Sequence, residues 1–257
     1  MLWSMNEFVL FVVALVVFAG TIEIGFRLGF RHSDAGDDAT RSHIGTLQSA
    51  LLGLLALLLG FTFAMSVSRY DNRKSLVVQE ANAIGTAHLR VKLLPASRRN
   101  DILAKFKAYM TERIAFLDAG ADHARLESAH AATSRIQTEL WNVASSLSVQ
   151  DAQAIPTELF IKALNEMFDI SETHRVALEN HVPEVVIHLL FIVSIIALGF
   201  IAYGSGLARK RRFTSTAIFA LLIAIVLATI LDVDRPRRGL IQVGNDSMYR
   251  LKAEIEN

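Results

Sequence analysis

Residues 45 to 68 read GTLQSALLGLLALLLGFTFAMSVS, a run of 24 residues in which no side chain carries a charge. A bilayer has a hydrocarbon core about 30 Å thick, and an α-helix rises about 1.5 Å per residue, so about 20 apolar residues cross it. The run therefore predicts a membrane-spanning helix. Three further blocks are long and apolar enough, at residues 8–26, 183–207 and 213–231. We predict an all-α membrane protein with four transmembrane helices.

The composition agrees with a chain that is partly in the membrane and partly in water. Apolar residues make up 52% of the 257 residues, charged residues reach 20%, and the apolar ones are pooled into blocks. The net charge of +1 argues against nucleic acid as the main partner. The chain has no cysteine, which excludes disulfides, thiol catalysis and cysteine metal sites.

Residues 69–182 predict a helical bundle inserted between the second and third spans. Helical segments are expected at 69–94, 97–118, 122–147 and from Pro156 onward, separated by Pro95, by Gly120 and by a polar stretch. Four segments of similar length bring the chain back to the same face of the membrane. The expected organisation is 1–68 for the first two spans, 69–182 for the bundle, 183–232 for the last two spans and 233–257 for a C-terminal tail.

The second span presents three kinds of side chain on three faces of one helix. Small residues recur at three- and four-residue steps: Ser49, Gly53, Ala56, Gly60 and Ala64. Bulky apolar residues recur at four-residue steps: Leu57, Phe61 and Met65. A polar stripe runs out of the bilayer: Thr62, Ser66, Arg69 and Arg73.

Two interpretations of this span remain open. In the first, the small face packs against neighbouring helices, and the other two faces line a pore. Phe61 and Met65 then form a dewetting constriction, and Arg69 and Arg73 form a mouth that attracts anions. In the second, the helix is packed inside a four-helix bundle with its basic end at the lipid headgroups.

The stretch LDVDRPRRGLI at residues 231–241 concentrates charge directly after the fourth span. Its charged residues are Asp232, Asp234, Arg235, Arg237 and Arg238. The macrodipole disfavours carboxylates at a helix C-terminus, so the arginines are expected to pair with them. The stretch is either an interfacial anchor or a charged interface that sets ion access or subunit contacts.

The sequence offers no signature of an enzyme, a cofactor site or a metal site. It has no phosphate loop, no dinucleotide glycine fingerprint, no His-Glu-x-x-His and no nucleophile elbow. His174, His181 and His188 recur every seven residues, about 10.5 Å along a helix, too far apart to share one ion. We predict neither enzymatic activity nor a bound metal or cofactor.

Two segments carry a resemblance to a known family. They are SRYDNRKSLVVQEANAIGTAHLR at residues 68–90 and LDVDRPRRGLI at residues 231–241, with EANAIGTA and DRPRRG as their most specific parts. They resemble the bacterial bestrophin-like domain proteins, which share the order of two spans, helical insert and two spans. The function of that family is not established. Bestrophins themselves are pentameric anion channels whose second helix lines a neck with bulky apolar residues at four-residue steps, the pattern of Leu57, Phe61 and Met65.

Basic residues do not decide the orientation. Lys and Arg number seven on each side of the predicted spans, so the positive-inside rule is balanced. The lack of Lys or Arg before the first span favours a bundle outside the cytoplasm, whereas the resemblance to bestrophins implies a cytoplasmic one. The expected location is the cell (inner) membrane, multi-pass, with the side of the bundle open.

Two functions follow as hypotheses. The first is a homo-oligomeric channel in the lipid bilayer that conducts an inorganic anion along the second transmembrane helix. The second is a sensory or scaffold membrane protein. In that case a helix continuing from the second span into the bundle transmits a small shift to a partner protein.

Overall fold

The computed structural model describes residues 6–33, 38–150 and 155–256, and every regular element in these residues is an α-helix. This confirms the predicted all-α class. The helices are α1 (Glu7–Arg31), α2 (Asp38–Val91), α3 (Ala96–Asp118), α4 (His123–Gln150), α5 (Ile155–Glu179), α6 (Glu184–Leu207), α7 (Phe213–Asp234) and α8 (Asp246–Glu256).

Four stretches are long and apolar enough to cross a membrane by length and composition. They are Glu7–Arg31, Ala39–Val91, Ile155–Leu207, which holds α5 and α6, and Phe213–Asp234. The four predicted spans are thereby confirmed as candidate membrane helices. The predicted second span, residues 45–68, lies in the first part of α2, and this helix continues without a break for 54 residues.

The chain divides into two compact units. The first comprises Met1–Arg69, His181–Arg235 and Gly239–Ile241, and the second comprises Tyr70–Asn180, Pro236–Arg238 and Gln242–Asn257. The division falls within α2 and between α5 and α6, close to the predicted limits of the insert.

The first unit is organised by a close contact between α1 and α6. A Cβ atom added at Gly25 would lie 2.6 Å from the carbonyl oxygen of Gly199, and one added at Gly29 would overlap the carbonyl of Tyr203. Only glycine allows backbones to approach this closely, as in many membrane helix pairs. Phe18, Leu190 and Leu227 belong to the apolar core beside this contact.

The second unit is built around an apolar core that its five helical segments share. Ile84 from α2, Phe106 from α3, Leu140 from α4 and Phe160 from α5 are all buried there. Local signals place these helices: Asp122 accepts hydrogen bonds on Oδ1 from the amides of residues 124 and 125, at 3.0 and 3.1 Å, and so caps α4.

The segment predicted as a C-terminal tail forms the helix α8. Its residues Met248 and Ile255 are buried in the core of the second unit, and Leu251 packs against that core. Part of the tail therefore completes the second unit.

Candidate functional site

The bulky stripe of the second span lies exposed on the surface of the single chain. The exposed fractions of Leu57, Phe61 and Met65 are 54%, 67% and 40%. No described part of the same chain covers them, so they are available to lipid, to another subunit or to a pore.

The polar stripe of the same helix points the other way. Thr62 is 3% exposed and Ser66 is fully buried. Thr62 follows Leu57 by five positions, which turns a helix by about 140°, so the two stripes lie on different sides of α2. Thr62 donates its hydroxyl to the carbonyl of Leu58 at 2.8 Å, the usual local bond of a threonine inside a membrane helix.

The two arginines of the polar stripe differ in their surroundings. Arg69 is half-buried. Arg73 is buried, and its Nε and Nη2 donate to the carbonyls of Ala177 and Asn180 at 3.0 and 2.8 Å. These carbonyls end α5, so Arg73 caps the C-terminus of that helix. The structure thus gives Arg73 a local structural role.

The small face of α2 is open. Ser49, Gly53 and Gly60 are exposed, and a Cβ added at Gly53 or Gly60 would meet nothing within 4 Å. Within the described chain, close helix approach occurs between α1 and α6 instead. The small face is therefore free for contacts with a helix of another molecule.

The carboxylates after the fourth span hold a turn together. Asp232 accepts the amides of Leu240 and Ile241 on its two oxygens, at 2.8 and 3.0 Å. Asp234 accepts the amide of Val182 on Oδ2 at 2.7 Å. Backbone amides therefore help to hold both carboxylates in place. Arg235 is buried, with its Nη1 3.5 Å from a carboxylate oxygen of Glu7.

Gly239 is the residue that this turn requires. Its φ of +99° is strained for any L side chain. A Cβ there would also overlap Asp232 Oδ1 and lie 2.8 Å from Glu7 Oε1. Within the DRPRRG run, Arg237 and Arg238 belong to the second unit, and Arg238 is exposed.

A buried ionic cluster lies in the second unit. Glu80 Oε1 accepts from Nε of Arg113 at 2.5 Å, and Glu80 Oε2 lies 2.6 Å from Nδ1 of His174. All three side chains are buried. The cluster joins α2, α3 and α5 through one carboxylate.

The carboxyl of Glu80 stays ionised in this cluster. Burial raises the pKa of Glu80, but the charge of Arg113 and the hydrogen bonds from His174 and Arg113 outweigh burial, so its pKa lies below the ordinary 4.5. Since an ionised carboxylate only accepts, Nδ1 of His174 carries the proton that it donates to Glu80.

We expect this cluster to make the protein labile in acid. Because the folded-state pKa of Glu80 is depressed, its contribution to stability is present above about pH 4.5 and is lost as the pH falls through the folded-state value. Chemical unfolding between pH 7 and pH 3.5 measures this loss. The stability difference between the native protein and Glu80→Gln should shrink below pH 4.5. A difference that stays constant with pH would contradict the assignment.

Sequence reasoning missed this cluster, although a signal was present. Val77, Glu80, Ile84 and Ala87 follow one another at three- and four-residue steps, and all four are buried. A single carboxylate in an apolar stripe predicts a buried cationic partner. Its partners lie 33 and 94 residues away along the chain, so spacing alone does not identify them.

No group of three or more potential metal-ligating side chains occurs among the described residues. The three histidines spaced by seven have separate environments. His174 contacts Glu80, His181 Nδ1 lies 2.9 Å from the carbonyl oxygen of Asp234, and His188 is exposed.

Solved structures share this fold. A bacterial bestrophin homologue from Klebsiella pneumoniae, phased by Zn-SAD, matches with a TM-score of 0.65 and 17% identity over 97% of each chain. A point-substituted form of that homologue gives a TM-score of 0.68 and 15% identity over 98% of each chain. At such identity the likeness concerns the fold alone. No curated protein matches the sequence significantly.

The sequence itself carries the family relation. The family model of the Bestrophin-like domain matches residues 9–248, from the first membrane helix into α8. The match includes both segments that suggested the resemblance. The chain therefore belongs to the Bestrophin-like domain family.

Proposed function

We propose that the protein is an oligomeric anion channel of the cell (inner) membrane, with the second transmembrane helix lining the pore. The observation that carries the proposal is the exposed stripe of Leu57, Phe61 and Met65 on α2. The bestrophin family is known for anion channels, and its fold is the fold of this chain. A ring of bulky apolar side chains is one way in which channels gate by dewetting.

The face of α2 beside this stripe supports assembly. Gly53 and Gly60 offer a surface without side chains, and nothing in the described chain lies near it. In a ring of identical subunits, the small face packs on a neighbouring helix and turns the bulky stripe toward the axis. Leu57, Phe61 and Met65 then form the constriction, while Thr62 and Ser66, buried within the chain, lie outside the pore.

The remaining parts take supporting roles in this proposal. The helices between residues 69 and 182 form a bundle outside the bilayer, inserted between the second and third spans. Arg69 follows the constriction at the end of the membrane part of α2, where a cation attracts permeating anions. The turn at Asp232 and Gly239 anchors the end of the fourth span.

One observation favours a second function. The helix α2 has 54 residues without interruption and carries the membrane span as well as core residues of the second unit. A continuous helix transmits a shift or rotation along its length. A sensory or scaffold protein would use it to signal to a partner.

Chloride flux from liposomes tests the channel with a matched pair of variants. Leu57 and Leu222 are both 54% exposed in the single chain, on α2 and on α7 respectively. We expect Leu57→Ser to raise chloride flux about tenfold, because a hydroxyl helps to wet an apolar constriction. Leu222→Ser should leave flux unchanged. Equal effects of the two substitutions would contradict the pore assignment, and no flux from any form would favour the sensory or scaffold function.

A further inference from the structure

A cavity of about 210 Å³ lies within the second unit, to which all its lining residues belong. It is partly enclosed, and its polar lining includes Arg237, His174 and Asp118, with Asn245 beside them. Leu117 and Leu178 contribute apolar walls. Neither the fold nor a conduction path along α2 explains the function of this cavity.

Arg237 brings a positive charge to the cavity. Its Nη1 donates to the carbonyls of Phe116 and Gly120 at 3.0 and 3.4 Å, and its guanidinium lies 4.5 Å from the ring centroid of Phe116. Among the described residues, no carboxylate lies within ion-pair distance of it. Carbonyls and an aromatic ring hold the guanidinium in place without neutralising it.

A second guanidinium lies beside the same aromatic ring. Arg113 lies 4.9 Å from the same Phe116 ring and pairs with Glu80. Burial and the charge of Arg113 lower the pKa of Arg237 to about 10. A pKa of about 10 still leaves Arg237 charged at neutral pH, and an added anion would offset the cost of burying that charge.

His174 supplies another polar group at the cavity wall. Its Nδ1 is engaged by Glu80 at 2.6 Å, which leaves Nε2 as the ring nitrogen without a hydrogen bond in the described part of the chain. Because Glu80 fixes the ring, Nε2 is held in one orientation. Nε2 accepts a hydrogen bond from a ligand hydroxyl when the ring is neutral, and it donates one to a ligand oxygen when both ring nitrogens are protonated.

The one carboxylate of the lining is already engaged. Asp118 accepts the hydroxyl of Tyr249 on Oδ2 and the side-chain amide of Asn245 on Oδ1 at 3.3 Å. These bonds tie α8 and the segment before it to the end of α3. Both carboxylate oxygens of Asp118 therefore accept hydrogen bonds from protein groups, whereas Arg237 has further N–H groups that can donate to a ligand.

We propose that this cavity binds a small oxyanion, a carboxylate or an inorganic phosphate or sulfate, between the guanidinium of Arg237 and the imidazole of His174. The planar fork of an arginine matches two oxygens of such a group, and an enclosed, partly apolar site strengthens the contact. The site lies in the second unit and does not depend on whether α2 conducts ions. It provides a place where a soluble anion stabilises the helices that meet around it.

Isothermal titration calorimetry of the full-length purified protein tests the site with sodium sulfate, phosphate and acetate. All samples contain the same ionic strength of sodium chloride. We expect saturable binding that weakens at least tenfold in Arg237→Gln. Arg250→Gln removes an equally charged, exposed side chain of α8 in the same unit and should bind as the native protein does. Tighter binding of sulfate and phosphate would identify an inorganic ligand, and tighter binding of acetate a carboxylate.

Two further measurements protect the interpretation. Arg237→Lys keeps the positive charge but loses the planar fork, so it should bind more tightly than Arg237→Gln and less tightly than the native protein. It also serves as the test variant if Arg237→Gln folds poorly. Circular dichroism reports the helix content of each variant. Equal weakening in Arg237→Gln and Arg250→Gln, or no saturable binding by any folded form, would overturn the proposal.

Discussion

Replacing Glu80 with alanine is expected to lower the free energy of unfolding by about 3–5 kcal/mol, because the substitution leaves a buried arginine without its partner. Arg113 is 1% exposed, and among the described residues its only ion pair with a carboxylate is the Nε bond to Glu80. His174 loses the same acceptor. Chemical unfolding in detergent, followed by circular dichroism, measures the change.

The ion pair between Lys105 and Glu139 provides the control. Its 2.8 Å distance is close to that of the buried pair, but both side chains reach solvent. Glu139→Ala should change stability little, because exposed ion pairs are weak. Glu80→Gln keeps the shape of the side chain and separates the loss of charge from the loss of packing. Similar stability of Glu80→Ala and Glu139→Ala would show that the buried cluster contributes little.

The second large effect is expected at the contact between α1 and α6. Gly29→Ala places a Cβ on the carbonyl of Tyr203, so the two helices must separate. Overpacking of this kind destabilises by about 1–3 kcal/mol, and a backbone atom yields less readily than a side chain. Thermal unfolding of the purified protein measures the loss.

Gly20 offers a matched substitution in the same helix. A Cβ added there meets nothing within 4 Å, so Gly20→Ala should preserve stability or raise it slightly through helix propensity. Equal unfolding temperatures for the two variants would mean that α1 and α6 do not rely on this glycine contact. Gly29→Leu should enlarge the effect of Gly29→Ala if the contact is as close as described.

The elements of this fold were predictable because their signals are local. Long uncharged runs identify the spans, and Pro95, Gly120 and Pro183 identify where helices end or begin. The observed helices α3 and α6 begin at Ala96 and Glu184, next to two of these prolines. Hydropathy and turn-forming residues act over short stretches of chain, so a single sequence is enough to locate the helices.

The direction in which each face points was harder to predict. The sequence shows three stripes on the second span, but only the packing partners decide which stripe is buried. Thr62 and Ser66 face inward although they are polar. The Thr62 hydroxyl is satisfied by its own helix and is therefore tolerated in an apolar interior, whereas the buried Ser66 hydroxyl has no hydrogen-bond partner among the described residues. The glycines of the close contact on α1, Gly25 and Gly29, are four residues apart, a spacing typical of close membrane helix pairs that the sequence analysis did not single out.

The helix α8 was missed for a different reason. It has only 11 residues, and isolated helices of that length are marginal in water. Met248, Leu251 and Ile255 gain their helical conformation by packing on the second unit. A short amphipathic segment after a charged turn carries too little local signal to reveal its docking partner.

The core of the second unit also has a consequence for biosynthesis. It begins at Val77 and includes Met248 and Ile255, so about 170 residues separate its first and late contributors along the chain. At roughly 5–20 residues per second, a ribosome needs about 10–35 s to make that length. During this interval two further spans must enter the bilayer, and Ile84 and Phe106 still lack their contacts with the core residues of α8. Chaperones and the insertion machinery therefore meet a half-finished unit, and a ribosome that stalls before α8 releases a chain with an open core.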